Sequence, residues 1–251
     1  MIEVKNVNKS FGEQLVLIDI NAVFKPGKIN MIIGRSGSGK TVLLKSVIGL
    51  HSPETGEILF DGREFIRANI KFKREIRKEI GMVFQGGALF TSQSVEDNIM
   101  FPLNLFTNMS KKEKIDRVNF CLDRVNIHNA NKLFPSEISG GMQKRVAIAR
   151  AMVLNPKYLF CDEPNSGLDP QTAILIDQLI HELTVEYNMT TIINTHDMNS
   201  IMQIADNIIF IFEGRKWWQG GREDIFYTDN TELNDFVFAS ELCKKIKKSN
   251  S

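Results

Sequence analysis

The pattern of apolar and polar residues along the chain changes from strand-like to helix-like several times. Apolar residues alternate with polar ones over residues 2–7, a turn-like break follows around Gly12, and the alternation resumes over residues 16–24. A period of two predicts half-buried strands, so we expect the chain to open with two strands joined by a turn. A β-branched run over residues 29–33 predicts a further strand, which leads through a glycine-rich loop into a helix over residues 40–50.

The middle of the chain, from about residue 86 to residue 155, has a helical pattern. Ser110 precedes an amphipathic stretch at residues 111–125 and is expected to cap that helix. A Ser-Gly-Gly turn opens a second helical stretch at residues 142–154. We therefore predict a helical subdomain over residues 86–155.

Strand patterns return in the last part of the chain, at residues 158–161, 190–194 and 207–212. Helical stretches that begin after Pro170 and Met198 separate them. Strands that alternate with helices are typical of a parallel sheet. The predicted fold is α/β, with an N-terminal antiparallel β-subdomain, a mainly parallel core sheet and an inserted α-helical subdomain.

Regular patterning weakens after about Arg222, which divides the chain into a domain at residues 1–221 and a C-terminal tail at residues 222–251. The tail ends in a basic run that begins at Lys244. We expect a frayed, solvated terminus. Clasping of a dimer and contact with anionic lipid are the alternatives for this basic run.

Charge does not indicate a nucleic-acid partner. The net charge is +1 among 24% charged residues, which gives no overall attraction to a polyanion. The most charged stretch, residues 67–79, mixes bases with acids and is typical of a solvated helix face. We therefore expect no nucleic-acid binding.

The composition predicts a protein of the reducing cytoplasm that reaches a membrane only through partners. No run approaches the roughly 18 apolar residues of a membrane-spanning helix, and the first residues lack the pattern of a signal peptide. Cys121, Cys161 and Cys243 are too widely separated to indicate a zinc or disulfide framework.

A glycine-rich segment between the third predicted strand and the following helix matches the phosphate-binding pattern G-x-x-x-x-G-K-[ST]. We call it the P-loop, and its residues are Gly34, Arg35, Ser36, Gly37, Ser38, Gly39, Lys40 and Thr41. Its glycines let backbone N–H groups face a polyphosphate at a helix N-terminus. We expect Lys40 to reach the outer phosphates of ATP and the Thr41 hydroxyl to coordinate Mg²⁺. The complete match in this setting favours that role over a plain glycine turn.

The apolar strand at residues 158–161 ends in two carboxylates, Asp162 and Glu163. Side chains alternate along a strand, so the two groups cannot point the same way. We expect Asp162 to face Mg²⁺ and Glu163 to orient and polarise the attacking water. An acidic strand end is common by itself, but downstream of a P-loop it predicts ATP hydrolysis.

A second loop of small residues precedes a helix and suits an anion. We call it the signature loop, and its residues are Ser139, Gly140, Gly141 and Met142. One ATP does not need two phosphate loops from the same subunit, so this loop is expected to complete the site of another copy. A plain serine-capped helix is the alternative.

These motifs in this order resemble the ATP-binding-cassette (ABC) ATPase family, over the chain from Val4 to about Gly220. The resemblance implies the P-loop NTPase fold of that family, ATP and Mg²⁺ as cofactors, and a head-to-tail homodimer that sandwiches the nucleotides. Ile138 and Met142 depart from the usual Leu-Ser-Gly-Gly-Gln signature, and Arg35 stands where proline is frequent.

The resemblance also implies roles for residues that chemistry alone does not single out. Phe11 takes the place of the aromatic ring that stacks on adenine, and Val16 is a further nucleotide-binding residue. Gln85 resembles the Q-loop residue that links Mg²⁺ and the γ-phosphate to the membrane partner. His196 resembles the histidine that contacts the γ-phosphate, and Asp169 belongs to the D-loop at the dimer seam.

The segment Gly-Gly-Ala-Leu-Phe90 after Gln85 and the Ser-Gly-Gly-Met signature are similar to the ATPases of the Mla transporters, which move phospholipid between bacterial membranes. The resemblance implies integral membrane permease subunits, an Mce-type lipid-binding protein as a further partner, and a position on the cytoplasmic face of the inner membrane. Another transporter subgroup, or a soluble ABC ATPase that serves a scaffold as in iron–sulfur cluster assembly, stays open.

Overall fold

The structure is a computed structural model that describes residues 1–239; Cys243 and the basic run that begins at Lys244 lie outside the described residues. The strands are β1 (Ile2–Phe11), β2 (Gln14–Phe24), β3 (Lys28–Ile33), β4 (Thr55–Phe60), β5 (Arg63–Glu64), β6 (Ile80–Val83), β7 (Tyr158–Asp162), β8 (Thr190–Asn194), β9 (Asn207–Phe212) and β10 (Arg215–Gly220). The helices are α1 (Lys40–Val47), α2 (Ile70–Lys78), α3 (Val95–Phe106), α4 (Lys111–Arg124), α5 (Gly140–Met152), α6 (Pro170–Glu186), α7 (Met198–Ile204), α8 (Asp224–Tyr227) and α9 (Thr231–Val237). None of the helices within residues 1–239 has the length and apolar character needed to cross a bilayer.

The chain divides into two compact units. The first contains residues 1–73 and 190–239, and the second contains Arg74–Met189. The second unit is larger than the predicted helical subdomain at residues 86–155, because it also contains β6, β7 and α6.

An antiparallel sheet in the order β2-β1-β4-β5 forms one part of the first unit. The alternation that predicts β1 and β2 is confirmed, since the inward residues Ile2, Val4 and Val7 of β1 are buried. The register of β1 shifts between Val4 and Val7, where Asn6 has a φ of 49°. Asparagine tolerates this left-handed conformation better than most residues, which suits it to such an irregularity.

The first unit also contains strands that pair in parallel, and the P-loop follows one of them, β3. β3 pairs in parallel with both β8 and β9, and its residues from Ile29 to Ile33 are buried, as expected for a central parallel strand. β10 returns antiparallel to β9 after a tight turn at Glu213 and Gly214, which have φ values of 47° and 74°. The mainly parallel core is therefore confirmed, and β10 is an edge strand that the sequence patterns do not predict.

The second unit combines a parallel strand pair with a helical layer. β6 pairs with β7, and α5 packs against β6, α3 and α4. The predicted cap of α4 is confirmed, because the Ser110 hydroxyl accepts from the Glu113 N–H while the Glu113 carboxylate accepts from the Ser110 N–H. α5 begins two residues earlier than predicted, because Ser139 is its N-cap and both following glycines are helical.

Part of the segment expected to be irregular forms two short helices, α8 and α9. The Asn230 side chain caps α9 by accepting from the Leu233 N–H at 2.8 Å. Leu233 and Val237 are buried, so this segment contributes to the core of the first unit.

Candidate functional site

The predicted site residues are distributed over both units. In the first unit the P-loop connects β3 to α1. Gly34, Gly37 and Gly39 have φ values of 149°, 79° and 105°, a range that side chains rarely allow. A Cβ on Gly34 would lie 2.3 Å from the Ile211 carbonyl oxygen, and one on Gly39 would lie 3.0 Å from the Val16 carbonyl oxygen. The backbone conformation of the P-loop therefore requires glycine at these positions, and the binding of phosphate there stays a prediction.

Backbone hydrogen bonds connect the turn between β9 and β10 to the P-loop and to β2. The Ile18 N–H donates to the Gly214 carbonyl at 2.8 Å, and the Gly214 N–H donates to the Ser38 carbonyl at 3.2 Å. Val16 lies against Gly39, with a side-chain methyl 3.8 Å from where a Cβ would stand. The structure thus places Val16 beside the P-loop, and its contact with nucleotide stays a prediction.

Phe11 ends β1 as an exposed ring. Its side chain is 46% exposed, the Lys9 ammonium lies 5.0 Å from the ring centroid, and the His51 ring meets it edge-on at 5.2 Å. An exposed aromatic face beside a cation can stack on a purine. The adenine-binding role of Phe11 remains a prediction.

Two adjacent residues at the start of α1 carry the polar chemistry of the P-loop. Lys40 is 7% exposed, and its ammonium donates to the carbonyls of Gly34 and Arg35 at 2.9 and 3.0 Å. The Thr41 hydroxyl accepts from the Asn194 amide at 2.9 Å. Asn194 ends β8, and it belongs to none of the sequence motifs that predict the site.

His196 follows β8 by two residues and is exposed. The strand that delivers it is fully buried from Thr190 to Asn194. A rigid strand therefore ends next to this imidazole, which suits a residue that must meet a phosphate at a fixed distance. Its contact with the γ-phosphate stays a prediction.

The two carboxylates in the second unit have different surroundings. Asp162 is the last residue of β7 and is 6% exposed, whereas Glu163 is half-buried and has a φ of 50°. This left-handed conformation turns the chain immediately after the strand. A non-glycine residue in that region costs about 1–3 kcal/mol and is typical of functional sites. Burial of the neighbouring Cys161 raises the pKa of its thiol, so that side chain is an inert part of the core.

The segment after β6 is held by two cationic side chains of α5. The Lys144 ammonium donates to the Gln85 carbonyl, and the Arg150 guanidinium donates to the carbonyls of Gly87 and Ala88, each at 2.7 Å. Burial lowers the pKa of both cations. The Gln85 side chain is exposed, and its amide lies 3.4 Å from the Ser166 hydroxyl. The backbone of this segment is thus fixed while the Gln85 side chain remains accessible.

Asn98 fixes the next part of the same segment. It is fully buried on α3, accepts from the Phe90 N–H at 2.8 Å and donates to the Phe90 carbonyl at 3.1 Å. Phe90 itself is 40% exposed and packs on Phe101 with a ring-centroid distance of 4.8 Å. An exposed aromatic residue is therefore presented on a rigid loop.

The signature loop contacts the start of α6. The Ser139 hydroxyl accepts from the Met142 N–H at 3.3 Å, which leaves its own proton to donate. Asp169 caps α6 by accepting from the Thr172 N–H at 3.0 Å and the Thr172 hydroxyl at 2.6 Å. The hydrogen bond from the Thr172 side chain lowers the pKa of Asp169, which therefore remains a carboxylate. A Cβ on Gly141 would lie 2.8 Å from the Thr172 methyl group.

We expect Gly141→Ala to lower the melting temperature by about 2–4 °C, because overpacking against Thr172 costs about 1–3 kcal/mol and exceeds the helix-propensity gain of alanine. Thr172→Ser removes the clashing methyl group and keeps the hydroxyl bound to Asp169, so the double variant should regain the loss. Gly140→Ala is the matched control, since its Cβ would meet Leu168 at an ordinary 3.9 Å. Equal melting temperatures for the two alanine variants would contradict the packing described here.

Each unit contains an oxygen donor of the chemical type that binds a magnesium ion together with a nucleotide. Among residues 1–239, no cluster of three or more His, Cys, Asp or Glu side chains could enclose a metal without other ligands. Mg²⁺ is usually held by one or two protein oxygens together with substrate phosphates and water. The Thr41 hydroxyl and the Asp162 carboxylate are donors of that type.

Comparisons with known proteins agree with this site chemistry. The sequence profile of the ABC transporter family matches residues 17–166, which is more than half of the chain. The chain therefore belongs to the ABC transporter family and is an ATP-binding and ATP-hydrolysing subunit, as its motifs predict.

The similar proteins include two curated relatives and a solved structure. The probable ribonucleotide transport ATP-binding protein mkl of Mycobacterium leprae is 40% identical over 94% of this chain and 68% of that protein. The intermembrane phospholipid transport system ATP-binding protein MlaF of Haemophilus influenzae is 38% identical over 94% of this chain and 90% of that protein. A dimeric post-hydrolysis structure of the ATP-binding cassette MJ0796, bound to ADP and Pi, matches with a TM-score of 0.80 and 32% identity over 88% of this chain and 99% of that chain.

Proposed function

We propose that this chain powers phospholipid transport between bacterial membranes, by hydrolysing ATP on behalf of a separate membrane permease. The observation that carries the proposal is the similarity to MlaF, which extends over 90% of that protein. The exposed Phe90 on its fixed loop supports it, because a rigid aromatic residue is suited to anchor a protein partner.

Two copies are proposed to close head to tail around two ATP molecules. Each ATP lies between the P-loop of one copy and the signature loop of the other. Ser139 and Gly140 are exposed at the N-terminus of α5, where backbone N–H groups and the helix dipole favour a phosphate. The similarity to the MJ0796 cassette, which is dimeric and bound to ADP and Pi, supports the proposal of a dimer.

The proposed roles of the site residues follow their chemistry. Lys40 neutralises the outer phosphates, Glu163 orients the attacking water, and His196 contacts the γ-phosphate. Phe11 stacks on adenine and Val16 contacts the nucleotide, while Asp169 acts at the dimer seam. Mg²⁺ is proposed to be held by Thr41, Gln85 and Asp162, where it would neutralise charge on the phosphates.

The permease subunits are proposed to be integral membrane proteins that hold this chain at the cytoplasmic face of the inner membrane. An Mce-type lipid-binding protein is the further partner that phospholipid cargo requires in this proposal. Ribonucleotide transport is a second candidate function, which the name of the mycobacterial relative mkl supports.

The test begins with affinity capture of the tagged chain from detergent-solubilised membranes, followed by reconstitution of the captured complex in liposomes. We expect an integral membrane permease to be recovered, and fluorescent phospholipid to move between these liposomes and added acceptor liposomes when ATP is supplied. A complex that contains Glu163→Gln is the matched control and should transfer no phospholipid. Recovery of soluble iron–sulfur assembly proteins alone would contradict the transporter role, and ATP-driven movement of ribonucleotide without phospholipid would favour the second candidate.

A further inference from the structure

Asn194 is the last residue of the buried strand β8, and its side-chain amide donates a hydrogen bond to the P-loop. Asn194 is 0% exposed, the preceding Ile192 and Ile193 are core residues, and the Asn194 Nδ2 donates to the Thr41 Oγ1 at 2.9 Å. We propose that Asn194 is a positioning residue, which fixes the Thr41 hydroxyl in the orientation that binds Mg²⁺. The inference rests on the proposed role of Thr41 as a magnesium ligand.

Because Asn194 is buried, its hydrogen bond to Thr41 has an energetic consequence. Burying an amide away from water raises the free energy of the folded state unless the amide regains hydrogen bonds. A fully buried asparagine is therefore expected where its hydrogen bonds contribute to structure or function. The backbone of Asn194 is rigid, because β8 pairs in parallel with β3 and places Asn194 opposite Ile32. Both strands lead towards the P-loop. The Asn194 amide is therefore held in a fixed position relative to the start of α1.

Without a contact of this kind, the side-chain orientation of Thr41 would not be fixed. The hydroxyl of a helical threonine has two accessible χ1 orientations, because its oxygen can also turn back to a carbonyl of the preceding turn. The Asn194 N–H selects the orientation in which Oγ1 faces β8. The hydroxyl oxygen has two lone pairs, so it can accept from Asn194 and still offer the second lone pair to a cation.

The consequence is specific to the magnesium-dependent part of nucleotide binding. Lys40 and the backbone N–H groups of the P-loop do not depend on the Thr41 hydroxyl, so metal-free ATP should bind Asn194→Val as it binds the wild type. Valine keeps a β-branched side chain in the strand and removes the amide. We expect the gain in ATP affinity on adding Mg²⁺ to fall about five- to tenfold, the effect of losing one buried hydrogen bond.

The experiment titrates the full chain with a fluorescent ATP analogue, once with Mg²⁺ and once with EDTA. The variants are Asn194→Val, Thr41→Ala and the double variant, and the measured quantity is the ratio of the two affinities. Because the residues act through one hydroxyl, the double variant should equal Thr41→Ala alone. Ser46→Ala is the matched control, since Ser46 is a fully buried hydroxyl of the same helix, and its ratio should equal that of the wild type.

Thermal unfolding without nucleotide shows whether each variant is folded, and Asn194→Ala replaces the valine variant if the latter unfolds. A purely structural role would lower the melting temperature and leave the affinity ratio unchanged, which would overturn the inference. If Mg²⁺ does not strengthen ATP binding to the wild type, or if Thr41→Ala keeps the wild-type ratio, the proposed magnesium role of Thr41 fails and the inference fails with it.

Discussion

Replacing Glu163 by glutamine is expected to lower the rate of ATP hydrolysis by about 10²- to 10⁴-fold, the usual contribution of a general base. ATP binding should persist, because the substitution keeps the size of the side chain and leaves the P-loop and Lys40 unchanged. Glu163 is half-buried at the left-handed turn that ends β7, so its carboxylate is held by the backbone rather than by a mobile loop. The variant should therefore accumulate as an ATP-bound dimer, which gel filtration with ATP and Mg²⁺ would detect.

Glu182→Gln is the matched control for this prediction. Glu182 lies on α6 in the same unit and is exposed, so its loss of charge should leave hydrolysis within about twofold of the wild type, as for other surface changes. Hydrolysis at the wild-type rate in Glu163→Gln would assign the water-orienting role to another residue.

The order of strands and helices could be predicted because local patterning and tertiary burial agree over most of the chain. β3 and β8 are rich in β-branched residues, and the structure buries β8 completely and β3 from Ile29 to Ile33. The Ser110 cap of α4 is determined by residues three positions apart. A fold can be predicted from one sequence where local patterning and tertiary burial indicate the same structure. The glycine-rich strand-to-helix connection was recognisable for the same reason.

Elements whose stability comes from distant contacts were missed. β10 combines basic residues with two adjacent tryptophans, so its sequence shows no alternation of apolar and polar residues, although its burial in the structure does alternate. It forms because β9 offers a free edge after the turn at Gly214. The Glu-Gly pair between two strand-like runs was the available signal, since this turn type favours residues with positive φ. The helix α9 likewise depends on burial of Leu233 and Val237 rather than on strong helix propensity.

Motifs identified the candidate phosphate-binding residues, but they could not identify the residues that hydrogen-bond to these loops and fix them in place. Asn194 and Lys144 are far along the chain from Thr41 and Gln85, so their hydrogen bonds to these residues exist only because the fold brings them together. Asn98 bonds the nearby Phe90 and Gln93, but no motif includes that contact. One signal was visible in the sequence, because a polar amide that ends a buried strand must find a partner. Conformational features such as the left-handed Glu163 leave no comparable signal.

Replacing Lys40 by methionine is expected to weaken ATP binding by about tenfold to a hundredfold, the effect of losing a charge-assisted contact to phosphate. Methionine is the sharper substitution than alanine because Lys40 is 7% exposed, and its apolar stem must be replaced to avoid a cavity. The folded chain should therefore stay intact while the affinity falls. With ATP at 100 times the wild-type dissociation constant, the wild type should be stabilised by about 2.7 kcal/mol, a rise of about 5–10 °C in melting temperature.

The same ATP concentration should raise the melting temperature of Lys40→Met by only about 1–2 °C if its affinity is a hundredfold weaker, because stabilisation depends on the logarithm of one plus the ratio of ATP concentration to dissociation constant. Lys45→Ala is the matched control, since it removes a positive charge from the last turn of the same helix and should keep the wild-type shift. A wild-type shift in Lys40→Met would mean that the ammonium stays on the Gly34 and Arg35 carbonyls when ATP binds and never reaches the phosphates. A lower melting temperature of the variant without ATP would instead show that those two hydrogen bonds stabilise the P-loop itself, so the nucleotide-free measurement separates the structural role of Lys40 from its role in binding.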